Sequence, residues 1–128
     1  MPFDQLSAIL ACSLLAGLAV FQGALIAGAP FGRLAWGGQH PVLPANLRIG
    51  SAVSIGLYAL FAYAALAKAG LAPPLIIESF TSVAVWVMTA YFALGVLMNC
   101  ISRSKLERVV MTPITAALAA LYLVLALQ

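Results

Sequence analysis

Four long apolar runs, separated by shorter polar or turn-rich segments, account for nearly the whole of this chain. They extend over about 5–28, 47–67, 75–100 and 105–127. Each is close to the roughly 20 residues that a helix rising about 1.5 Å per residue needs to cross a hydrocarbon core about 30 Å thick. A helix satisfies its own backbone groups, as lipid requires, so each run predicts a transmembrane span. The boundaries carry the usual punctuation: Ala29-Pro30 after the first span, Gly70 ahead of Pro73-Pro74 after the second, and Glu78 in the first turn of the third. The fourth run contains Pro113. A helix starting there would rise only about 24 Å, whereas one starting at Lys105 rises about 36 Å. With Ser104 and Glu107 in capping-box spacing, the pattern predicts one helix from Lys105, bent near Pro113. The fold expected is all-α and polytopic, one domain over 1–128, with four transmembrane helices in a compact bundle and a long first cytoplasmic loop.

Composition supports this and removes other classes. With 65% hydrophobic and 7% charged residues, too little polar surface exists to cover a water-soluble domain. The net charge of +3 comes from six basic residues placed singly or in one short cluster beside the spans. That distribution is a topology signal rather than a nucleic-acid footprint. Arg33, Arg48, Arg103, Lys105 and Arg108 lie on the side of the first and third connections, and Lys68 alone lies on the side of the second connection and both termini. The bias predicts both termini outside a membrane that we expect to be a bacterial cytoplasmic (inner) membrane. The opening MPFDQLSAILAC has no basic residue and contains Asp4, so the first span is expected to be retained rather than cleaved.

Within the spans, small residues recur at helical spacing. Gly23 and Ala27 of the first span are expected to form the tightest helix contact, against the Ser51 to Gly56 stripe of the second. Tyr63, Trp86 and Tyr122 fall near the outer ends of their spans, where an aromatic belt is expected; the other reading is a cleft for an apolar or cationic ligand. Cys12 and Cys100 fall near opposite faces, on the order of 20 Å apart and beyond the reach of a disulfide. His40 is the only imidazole and has no partner at ligand spacing, so no metal site is expected.

Two groups of polar residues remain. Gln22, Ser54 and Thr115 come at similar depth in the inner half, with Asn99 lower, and form an expected polar layer of the bundle. The long connection over 29–50 is too apolar for a solvated loop and is expected to lie in the interface. Its Arg33, Trp36, Gly37, Gly38, Gln39 and His40, with Arg48, Arg103 and Arg108, form a candidate anion or lipid-headgroup site. No catalytic signature accompanies these groups, no cofactor is indicated, and mid-span ionisable relays are missing. The sequence therefore favours a non-catalytic accessory or oligomeric scaffold component, working among membrane lipids as a homo-oligomer or within a larger membrane complex. A passive channel or facilitator for a small solute is the alternative. An enzyme acting on lipid or quinone through His40 or Glu107 is a distant third.

Overall fold

The computed structural model describes residues 2–128. Its four helices are α1 (Phe3–Ile26), α2 (Ala45–Lys68), α3 (Glu78–Cys100) and α4 (Lys105–Ala126), with two 3₁₀ turns at Gly32–Leu34 and Trp36–Gly38. All four helices are long and apolar enough to cross a membrane, and among the described residues there is no strand. The helices form a compact bundle with two ends. A loop face carries the α1–α2 and α3–α4 connections, and a terminal face carries the α2–α3 connection and both chain ends.

The helix ends follow from local chemistry. After α1, Gly28 takes φ +95 and its N–H bonds to Leu25 O while that of Ala29 bonds to Ala24 O, a Schellman closure that only a residue tolerant of positive φ makes cheaply. Gly70 does the same after α2, with Leu71 N–H on Leu66 O at 2.8 Å. α3 starts at Glu78 rather than at Leu75. Ile76 sits at φ +60 and the Leu75 N–H is held by the Thr81 hydroxyl at 2.8 Å, which keeps residues 75–77 out of the helix. α4 begins at Lys105, with the Ser104 hydroxyl accepting the Glu107 N–H, and runs unbroken through Pro113.

Packing is uneven. α1 with α2 and α3 with α4 form the two extensive pairs, α3–α4 the larger, and α2–α3 is the thinnest seam between neighbours. The main core fills the terminal half. Ala8 and Ala11 of α1 and Ala64 and Ala65 of α2 are fully buried, in one cluster with Leu15, Phe61, Val85, Phe92, Leu118 and Tyr122. Phe61, Tyr91 and Phe92 meet across the α2–α3 seam with ring centroids 5.3–5.4 Å apart. Gly95 brings α3 against α4, since a Cβ there would lie 3.0 Å from Thr115 Cγ2.

Two expectations are corrected here. The close α1–α2 approach is not at Gly23 and Ala27: a Cβ at Gly23 or at Gly56 would meet nothing within 4 Å, and Ala27 is exposed. Alanines at the other end of the pair make that approach. Tyr122 is not in an interfacial belt. It is wholly buried and donates to Phe61 O at 2.6 Å, so its polar tip is satisfied inside the bundle. Tyr63 and Trp86 remain exposed near the terminal face. Both cysteines are free thiols.

This packing fixes the outcome of two substitutions. Ala11→Leu is expected to overpack the core by about 1–3 kcal/mol and lower the thermal midpoint in detergent. Gly23→Leu, entering open space, should leave the midpoint unchanged or slightly raised, because glycine is a poor helix former. A larger loss for Gly23→Leu than for Ala11→Leu would reverse the assignment of the contact.

Candidate functional site

The long α1–α2 connection is folded down as a lid on the loop half. Its ends close on each other where Gly32 N–H bonds to Pro41 O at 2.9 Å, and any Cβ on Gly32 would run into the His40 carbonyl. Ala35 and Leu43 turn inward and are buried with Leu25, while Phe31 and Val42 stay exposed. Trp36 is held at φ +54, a left-handed conformation costing a non-glycine residue roughly 1–3 kcal/mol. Two contacts hold it. The indole N–H donates to Ser51 Oγ at 3.3 Å, and the ring lies so close over Gly50 that a Cβ there would be 2.8 Å from Cη2. The lid is fastened to α4 as well: Ser104 Oγ donates to Arg33 O at 2.6 Å, and Gly38 packs directly on the Ser104 side chain.

Beneath the lid lies a hollow of about 200 Å³, walled by Gln22, Trp36, Ser54, Tyr58, Asn99, Thr115 and Glu107 among others. The four residues of the expected polar layer thus face one space. Asn99 Nδ2 donates to Thr115 Oγ1 at 2.8 Å, and the Thr115 and Ser54 hydroxyls donate to Met111 O and Gly50 O. Gln22 Nε2 makes a long 3.4 Å bond to the Tyr58 hydroxyl, and its Oε1 is buried without a partner. Trp36, Tyr58, Asn99 and Thr115 also wall a second hollow of about 450 Å³ that continues along α3 past Tyr91, Leu94 and Met98. Those three side chains are exposed on the thin α2–α3 seam, so this second space opens sideways, where lipid would be.

A third hollow, about 750 Å³, lies on the loop face. Arg33, Gly37, Gly38, Gln39, Arg103, Ser104 and Lys105 line it, with Leu106 and Val109 at its edge. Of the residues expected to form an anion site, it therefore gathers Arg33, Gly37, Gly38, Gln39 and Arg103, and it adds Lys105. Arg48 is elsewhere: its Nε donates to Leu43 O at 2.8 Å and its Nη1 to Ile26 O at 3.3 Å, so it closes the C-terminal end of α1, where a cation also complements the helix dipole. Arg108 donates to Ser102 O at 2.8 Å and ties the α3–α4 turn. His40 is exposed and is not in the lining, and Trp36 belongs to the interior hollows.

Glu107 is the residue whose surroundings depart furthest from the sequence reading. In a closed capping box its carboxylate would reach back to the Ser104 N–H. Here that N–H is taken by Ser102 Oγ at 3.2 Å, and Glu107, 7% exposed, lines the interior hollow instead. The available signal was Ser102, a second hydroxyl two residues ahead of the cap. Among the described residues no group of three His, Cys, Asp or Glu side chains stands together to hold a metal ion. No protein-family model, curated protein or solved structure matches this chain.

The arginines separate by what they touch. Arg48→Gln removes two charge-assisted bonds to carbonyls at the end of α1 and is expected to destabilise the fold by about 1.5–3 kcal/mol, read as a lower thermal midpoint. The double change Arg33→Gln with Arg103→Gln takes away only side chains facing an open hollow and should leave the midpoint nearly unchanged.

Proposed function

We propose that this protein is a non-catalytic membrane component, an accessory subunit or small oligomeric scaffold, that takes a lipid-soluble molecule from the bilayer and holds it in the loop half of its bundle. One observation carries the reading: the apolar hollow on the α2–α3 seam adjoins a more polar one under the lid through the shared walls Trp36, Tyr58, Asn99 and Thr115. Its volume of about 450 Å³ falls in the range of small-molecule sites, about 300–1,000 Å³, and apolar walls leading to a few polar groups suit an amphiphile. The Ser54 and Thr115 hydroxyls are both spent on backbone carbonyls, so no activated nucleophile supports an enzymatic reading. The terminal half is filled by Phe61, Phe92, Leu118 and Tyr122, which weighs against a passive path through a single bundle.

Membrane lipids are partners in this reading. The loop-face hollow, with three cations and an apolar edge at Leu106 and Val109, suits an anionic headgroup whose chains run down α4. We place that face in the cytoplasm and both termini outside, on the strength of the basic residues gathered there.

Purification from membranes in mild detergent, followed by mass spectrometry of what is carried along, tests the reading. One lipid-soluble species in near-stoichiometric amount is expected, lost on Ser54→Phe, which fills the hollow, but kept in Arg33→Gln/Arg103→Gln, which should shed anionic phospholipid only. Recovery of bulk phospholipid alone, unchanged by Ser54→Phe, would refute it. For orientation, a reporter active only outside the cytoplasm should give signal when fused after Gln128 and none when inserted at Ser102; the opposite pattern would turn the protein over.

A further inference from the structure

We infer that Glu107 makes the interior hollow selective for a lipophilic amine, its carboxylate receiving the ammonium head that the apolar hollow on the seam admits. The inference rests on the binding reading above and names the chemical class that the site would take.

The hydrogen-bond ledger of the hollow is the starting point. Its strong donors are already committed: the Ser54 and Thr115 hydroxyls to carbonyls, the Trp36 indole N–H to Ser51, and one Asn99 amide proton to Thr115. The Tyr58 hydroxyl proton and the second amide protons of Gln22 and Asn99 are left. On the acceptor side stand the Glu107 carboxylate, the unpartnered Gln22 Oε1 and Asn99 Oδ1. A guest that brings donors answers this lining, whereas one that brings only acceptors leaves the buried Gln22 Oε1 unpaired, which costs binding.

Charge narrows the class further. Glu107 is more than nine-tenths buried, and among the described residues no donor is placed on its carboxylate. The neighbouring cations are engaged or directed elsewhere: Arg108 on Ser102 O, Arg48 on Leu43 O and Ile26 O, and Arg33, Arg103 and Lys105 around the loop-face hollow. Glu107 is thus largely buried with no cation of the described residues on its carboxylate, and a cationic guest supplies that counter-ion. The Trp36 and Tyr58 rings wall the same space and attract a cation at their faces. An anionic guest would face the carboxylate at close range in a medium that screens little.

The test uses the full-length protein in nanodiscs of zwitterionic phosphatidylcholine, with Trp86→Phe leaving Trp36 as the only tryptophan. Decylamine, decanol and decanoate, which share one chain and differ in head, are titrated against Trp36 emission at neutral pH. The amine is expected to bind tightest and decanoate weakest. Glu107→Gln should weaken the amine on the order of tenfold or more while leaving decanol unchanged, and Glu107→Asp should restore most of the preference. Ser54→Phe should abolish all saturable signal and so marks bulk partitioning. If decanol and decylamine bind alike, or Glu107→Gln weakens both equally, this inference falls and the cavity reading stands. If no probe gives a saturable signal that Ser54→Phe removes, both fall.

Discussion

Lipid offers no hydrogen bonds, and that single constraint shapes most of what is polar in this molecule. Every polar group at membrane depth must be answered from within the protein. The hydroxyls of Ser13, Ser54, Thr89 and Thr115 each bond to a carbonyl one turn back in their own helix, and Tyr122 sends its hydroxyl across to Phe61 O. The cut ends of helices are closed by the chain itself, through Gly28 and Gly70, or by Arg48 reaching over from α2. Against this background two fully buried side-chain atoms without partners stand out among the described residues: Gln22 Oε1 and Thr112 Oγ1. Gln22 lines the hollow where Glu107 also sits.

The bundle divides its labour along its length. In the terminal half, alanines let α1 and α2 close up and aromatic rings fill the space between α2, α3 and α4. In the loop half the small residues of α1 and α2 face outward or sit under Trp36, while α3 and α4 still meet at Gly95 and Thr115. The lid, rather than helix packing, covers that end. A filled half that holds the helices thus stands beside a half that leaves hollows among them.

The spans were legible because length and hydropathy decide them almost alone, and Gly70 and the two prolines behind it marked a helix end in plain terms. Rotation about a helix axis was not legible. In spans this rich in alanine and glycine, small-residue spacing occurs on several faces, so it could not choose Ala8 and Ala11 over Gly23 and Ala27. Depth placed Tyr122 near an interface, but the face it occupies decided its burial. The polar layer was visible as a matter of depth. Glu107 was legible beside His40 as a titratable group but not as part of the polar layer, because the capping pattern accounted for it, and only the competing Ser102 hydroxyl frees it. Arg48 was drawn to the anion site by charge, although its reach to Ile26 O depends on how α1 and α2 lie side by side, which no local pattern encodes.

Ser104 gives the lid a property beyond coverage. One hydroxyl both caps α4, through the Glu107 N–H, and fastens the lid, through Arg33 O. The residue it caps is the one whose carboxylate lines the hollow. Lifting the lid therefore removes a partner from the very group that fixes the first turn of α4, a cap contributing about 1 kcal/mol. Cover, helix start and the Glu107 backbone are thus joined through one side chain, so loss of that single hydroxyl would loosen the lid and the first turn of α4 together.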